Sequence, residues 1–116
     1  MEEKIKKLIE KNPVAISTSS KNGTPNISVA AFLKIKDEKI IITNNYMKKT
    51  IDNIKENPKI SLAVWDDKWK GYKIDGLAEY SESEEWISFI KNIKENKNEP
   101  CNGAIIVKPL NIKQIG

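Results

Sequence analysis

A chain of 116 residues with 39% hydrophobic and 31% charged residues has the size and balance of one soluble globular domain, spanning 1–116. With no His and a single Cys, Cys101, it excludes an intramolecular disulfide, a His- or Cys-built zinc site, and Ser–His or Cys–His hydrolysis. The net charge of +4 comes from lysines scattered along the chain with no Arg among them, so it describes a solvated surface with one or two specific anion contacts, and no nucleic-acid partner is expected.

In chain order, residues 2–11 place Ile5, Leu8 and Ile9 at i, i+3, i+4, which predicts a short amphipathic helix ended by Pro13. This N-terminal segment, MEEKIKKLIEKN, is too charged for the apolar core of a secretion signal. No apolar run approaches the roughly 20 residues needed to cross a bilayer. The expectation is therefore a cytoplasmic protein with no membrane partner. Residues 14–20 form the first predicted strand, and Asn22-Gly23 marks a hairpin turn. The second strand is expected over 26–36, where Ile27, Val29, Ala31, Leu33 and Ile35 recur at period two. Asp37-Glu38 turns the chain into a third strand, 39–43, holding the apolar run Ile40-Ile41-Ile42.

A helix is predicted from about Met47, with Ile51 and Ile54 on one face and Asn57-Pro58 as its stop. Strands follow at 59–65 and 71–80, separated by the turn Asp66-Asp67-Lys68. Ser81 and Glu84 fit a capping box for a further helix carrying Trp86, Ile87, Phe89, Ile90 and Ile93, with Trp86 assigned to the core. Residues 104–108 form a last buried strand, which 110–115 extend past Pro109. Strands joined by tight turns with few short helices predict a mainly β, antiparallel barrel or sandwich. The missing strand–helix alternation and glycine-rich loop disfavour a nucleotide-binding sheet of Rossmann type.

The stretch Thr43-Asn44-Asn45-Tyr46-Met47-Lys48-Lys49-Thr50 joins a buried strand to a helix start. Free backbone N–H groups and partial positive charge collect at such a start, so cations there are unfavourable by about 0.3–1 kcal/mol unless an anion offsets them. One reading is therefore a phosphate or carboxylate pocket completed by the Lys ammonium and the Thr50 hydroxyl. The other is that Lys48 and Lys49 are ordinary solvated side chains. The small side chains of Val29-Ala30-Ala31 allow a flat ligand to lie against the strand, or serve ordinary packing. Trp65 and Trp69, on either side of the Asp66-Asp67 turn, are suited to stacking on a ring or to an interface.

Over nearly its whole length the chain resembles the pyridoxamine 5′-phosphate oxidase-like family of FMN-binding split barrels. The carrying segments are ISTSSKNGTPNISVAAF, IIITNNYMKKTIDNIKENPKISLAVW and GYKIDGLAEY. The resemblance implies an antiparallel split β-barrel that binds FMN as a homodimer, with the flavin at the subunit interface. It implies that Lys49 and Thr50 hold the FMN phosphate with Lys48 as a neighbour, and that Thr43 and Asn44 approach the ribityl chain or ring. It further implies that Ser28, Val29, Ala30 and Ala31 border the isoalloxazine, and that Trp65 and Trp69 face the partner's site.

Where the oxidases carry a Gln–x–Arg flavin contact, this chain has Gly71, Tyr72 and Lys73. It ends soon after the last strand, without the oxidases' pyridoxal-phosphate-binding segment, and no Arg or His replaces those contacts. Oxidation of pyridoxamine phosphate is therefore not expected. The functions implied are a small oxidoreductase or electron carrier. Alternatives on the same fold are an F420-dependent or flavin reductase and a non-enzymatic flavin-binding or sensing module. No catalytic acid or base stands out.

Overall fold

The period-two runs of the sequence become seven strands in one sheet, in a computed structural model that describes residues 1–116. The elements are α1 (Glu3–Lys11), β1 (Val14–Ser19), β2 (Pro25–Ala30), β3 (Lys34–Lys36), β4 (Lys39–Asn44), α2 (Lys49–Glu56), β5 (Lys59–Trp65), β6 (Gly71–Ser81), α3 (Glu84–Lys91) and β7 (Gly103–Ile115). A single 3-10 turn, Lys94–Asn96, follows α3. Every strand pair is antiparallel, in the order β2-β1-β5-β6-β7-β4-β3.

That order explains how the barrel closes and where it splits. The edge strands β2 and β3 are joined by residues 31–33 alone. Four residue steps span at most about 14 Å, so the two edges must approach at that end. They are not paired with each other, and the barrel stays open along that line. The single strand expected over 26–36 is thereby corrected to two strands on opposite edges. The break falls at Phe32, whose φ of 62° lies in the left-handed region that no strand continues through.

The main core gathers 16 buried apolar residues, among them Ile9, Ile16, Ile40, Ile42, Leu62, Val64, Ile74 and Val107. Truncating a buried Ile to Ala in such a core costs about 2–5 kcal/mol. Helix α1 contributes Ile5 and Ile9, and α2 contributes Ile51 and Ile54, which fixes the helices against the barrel. Ile41 and Ile106 point to the other face and pack with Ile90 and Ile93 in a smaller cluster. Trp86 lies at the margin of that second cluster, in edge contact with Phe89 at 5.7 Å between ring centres. The core place expected for it is thus a half-buried one against this second cluster.

Turn chemistry follows the sequence closely in one place. Asp37 and Glu38 both take positive φ (52° and 62°), the conformation that a two-residue hairpin loop requires to match strand twist. The Ser81 capping box is not formed, because Ser81 closes β6; the cap is Ser83, whose hydroxyl accepts the Trp86 N–H. Strand β7 runs on through Pro109, which lies opposite Gly76, and a bulge at the next residue, Leu110, shifts the register between Asp75 and Gly76. No helix is long and apolar enough to cross a membrane.

Candidate functional site

Helix α2 begins where the buried strand β4 ends, at the mouth of the barrel's split. Its N-cap position is Lys48, which offers no side-chain cap. The first intrahelical bond runs from the Asp52 N–H to the Lys48 carbonyl, so the amides of Lys49, Thr50 and Ile51 precede it and find no backbone acceptor. Neither Lys48 nor Lys49 is ion-paired with a carboxylate. Both side chains are exposed. Three amides without a backbone acceptor, the positive end of a helix dipole and two lysines outside any ion pair therefore share the start of α2.

This spot forms part of the wall of a cavity of about 590 Å³, lined by residues 26–32 of β2 and its exit, residues 45–50, and Glu95, Asn96 and Glu99. The volume lies within the range of small-molecule sites. Strand β2 pairs with β1 on one side only, so its outer edge keeps backbone N–H and C=O groups free for a ligand. Its apolar side chains face away from the core: Ile27 is 73% and Val29 66% exposed. Within β2 the alternation read from the sequence is real, but it faces outward, whereas Leu33 and Ile35 beyond the break join the core. Beside them Phe32 and Tyr46 are also exposed.

Thr50 is almost fully buried, at 2% exposure. Its Oγ1 lies 2.9 Å from Ser28 Oγ and accepts from Asn26 Nδ2 at 3.3 Å. The hydroxyl thus bolts the first turn of α2 to strand β2, holding the cation-bearing helix start against the strand edge. Lower on the same interface, Asn53 Nδ2 donates to Thr18 Oγ1 at 3.1 Å. The far wall is acidic. Tyr46 donates its hydroxyl to Glu99 Oε2 at 2.7 Å, an arrangement that raises the tyrosine pKa because the carboxylate favours the protonated phenol.

Of the residues that the sequence put forward, Lys48, Lys49, Thr50, Ser28, Val29, Ala30 and Ala31 all line this cavity. Thr43 and Asn44 stand behind the wall, with their side chains engaged inside the protein. Thr43 Oγ1 accepts from Asn96 Nδ2 at 2.8 Å. Asn44 donates to Tyr80 Oη at 3.0 Å and accepts the Met47 N–H at 2.8 Å. Gly71, Tyr72, Lys73, Trp65 and Trp69 belong to the β5–β6 hairpin and touch none of the cavity. Sequence reading missed Asn26, Asn45, Glu95, Asn96 and Glu99. Asn26 sits in the quoted TPN segment, but nothing local to residues 95–99 signals a site 45 residues from Thr50.

The sequence profile of the pyridoxamine 5′-phosphate oxidase family matches residues 1–114. The chain belongs to this family. An uncharacterized family relative from Methanocaldococcus jannaschii is 32% identical over 111 residues, covering 91% of this chain and 74% of that one. Among solved structures, the HupZ protein of Group A Streptococcus superposes with a TM-score of 0.88 at 23% identity, over 99% of this chain and 94% of that one. An FMN-binding protein from Syntrophomonas wolfei superposes with a TM-score of 0.85 at 25% identity, over 98% of this chain and 85% of that one. This member of the pyridoxamine 5′-phosphate oxidase family thus has the antiparallel split-barrel fold along its whole described length.

Proposed function

We propose that this chain binds FMN in that cavity, as a homodimer, and serves as a small oxidoreductase or electron carrier. One observation carries the reading: the unpaired amides and lysines at the start of α2 share a cavity with the free edge of β2. The donor set suits a phosphate monoester, which wants several N–H donors and a cation at one end of an otherwise apolar ligand. The FMN-binding relative from Syntrophomonas wolfei adds support.

In this reading Lys49 supplies the charge-assisted contact to the phosphate, and Lys48 adds long-range attraction. Thr50 places its amide at the phosphate while its side chain holds Ser28. The backbone from Ser28 to Ala31 offers hydrogen-bonding groups to the polar edge of the ring, and the small Ala30 and Ala31 let the ring come close. Thr43 and Asn44 act by fixing the end of β4 from which the loop departs. When bound, FMN supplies hydride or one-electron transfer; the protein anchors the phosphate, orients the ring and keeps water from it. The exposed Ile27, Val29 and Phe32 beside the cavity form an apolar patch suited to a second copy, which would also cover the ligand.

The decisive test is the visible absorption of the purified protein and the mass of any released cofactor. Yellow protein releasing FMN is the expected result. Apoprotein that cannot be reconstituted with FMN overturns the reading, and release of F420 replaces it with a deazaflavin-dependent one. Oxidation of NAD(P)H with an added acceptor separates an enzyme from a flavin-holding or sensing module. Light scattering should give twice the chain mass, and a monomer would sink the dimer.

A further inference from the structure

Tyr80, on β6, is half-buried against the main core and lines no part of the cavity. Its hydroxyl nevertheless ends a chain of contacts that leads to the anion-binding loop. Asn44 Nδ2 donates to Tyr80 Oη at 3.0 Å, and the Oδ1 of the same amide accepts the Met47 N–H at 2.8 Å. Met47 stands two residues before Lys49. The Asn44 side chain is 95% buried, so its orientation is set by these two partners and not by water. With Tyr80 as acceptor of the NH₂ group, the amide is held at both ends and its carbonyl is kept on the Met47 N–H; without the phenol oxygen the buried NH₂ group loses its partner and the amide is held at the Met47 end alone.

The contact crosses a strand, and the crossing depends on one glycine. In the sheet β6 pairs with β7 and β7 with β4, and Asn44 lies directly opposite Gly103. Tyr80 reaches over Gly103 to Asn44. A Cβ at position 103 would collide with the phenol oxygen and ring carbons of Tyr80. Beside this route, the Asn102 N–H donates to the Asn44 carbonyl at 3.0 Å, and Asn102 Nδ2 donates to the Asn45 carbonyl at 2.9 Å. The loop 45–48 is therefore anchored from β7 and its entry, with the Tyr80–Asn44 pair setting its exit direction into α2.

We infer that Tyr80, working through Asn44 over Gly103, is a positioning residue for the anion site at the start of α2. The inference rests on the reading of that helix start as the phosphate-binding end of the cofactor cavity. Tyr80 touches no ligand. It determines whether the amides of Lys49, Thr50 and Ile51 are presented together. Loss of the phenol oxygen should therefore weaken recognition of the phosphate and leave recognition of the ring alone.

The test uses the full chain and the Tyr80→Phe variant, which keeps the ring and its packing, with Gly103→Ala as an independent way to displace the same hydroxyl. The expected result is that the preference for FMN over riboflavin falls by roughly threefold to tenfold in Tyr80→Phe, the range of one neutral hydrogen bond. Riboflavin affinity should stay as in the unsubstituted protein. Hydrogen exchange of the Met47 amide should quicken by a similar factor, and inorganic phosphate should shift the amide resonances of Lys49, Thr50 and Ile51 less than before. Equal loss of FMN and riboflavin affinity would reveal a merely structural role and overturn the inference. So would an unchanged Met47 exchange rate. Should the unsubstituted protein ignore FMN, the cofactor reading fails by itself, and the phosphate shifts and Met47 exchange still decide the role of Tyr80.

Discussion

Helices α2 and α3 are both eight residues long, yet their N-termini are built in opposite ways. Helix α3 completes itself: Ser83 caps it, Glu84 and Glu85 sit in its first turn, and Lys91 sits in its last. Each choice complements the dipole or pairs an amide. Helix α2 shares an acidic first turn, Asp52, and a basic last turn, Lys55, but it has no side-chain cap, two lysines at its start and three amides without backbone acceptors. The difference cannot come from length or from the barrel each helix leans on. In the proposed reading the start of α2 is completed from outside the helix, by the phosphate of a ligand in the adjoining cavity.

The comparison breaks most readily at Lys49. Replacing it with Ala removes a charge-assisted contact of about 1.5–3 kcal/mol, so the FMN Kd should rise roughly tenfold to a hundredfold. Thermal stability of the apoprotein should stay level or rise slightly, since a cation leaves the positive end of a helix. Fluorescence titration of the apoprotein measures the first and a melting curve the second; an unchanged Kd would put α2 on the same footing as α3.

The next effect is at the bolt between α2 and β2. Thr50→Val leaves Ser28 and Asn26 without their shared partner in a buried place, and urea denaturation should show a loss of about 1–3 kcal/mol. Flavin affinity should fall with it, because the helix start is no longer held to the strand edge. Loss of stability with undiminished affinity would separate the bolt from the site.

A smaller effect is expected at the self-sufficient helix. Ser83→Ala should cost about 0.5–1 kcal/mol, near the low end for a lost cap because the Ser83–Trp86 bond is long at 3.5 Å. FMN binding should not change, and a change would mean that the two helix ends are coupled. The smallest effect is a pH control away from both helices. A hydrogen bond donated by Ser61, together with the neighbouring Lys73, holds the Asp75 carboxyl below the usual carboxylate range. With the folded value depressed, its stabilisation is present above the ordinary Asp pKa and is lost as pH falls through the folded value. Asp75→Asn should therefore flatten the stability profile below about pH 4, as read by denaturation at stepped pH. Binding at neutral pH should stay the same.

Much of this was legible in the chain itself. The 40–42 isoleucine run, the Asp37-Glu38 turn and the Asn57-Pro58 stop are local signals, since strand period, turn conformation and proline restriction act within a few residues. The lysines at the start of α2 were legible for the same reason, as charges in the wrong place on a helix. The direction of Ile27 and Val29 was not: alternation gives two faces and does not say which one the barrel turns inward. Nor was the break at Phe32, whose left-handed backbone is imposed by the chain's passage from one barrel edge to the other.

By itself, then, the sequence determined most of the elements, the antiparallel β class and the cation-bearing helix start, because each follows from short-range chemistry; the barrel rather than a sandwich was implied by the family resemblance. Only the tertiary structure decided what surrounds that start. It turned Thr50 inward onto Ser28 and set Asn44 between Tyr80 and Met47. It also brought Glu99 round to the cavity that Lys49 borders. Those contacts join residues tens of positions apart, and closing the barrel is the physical step that makes them neighbours.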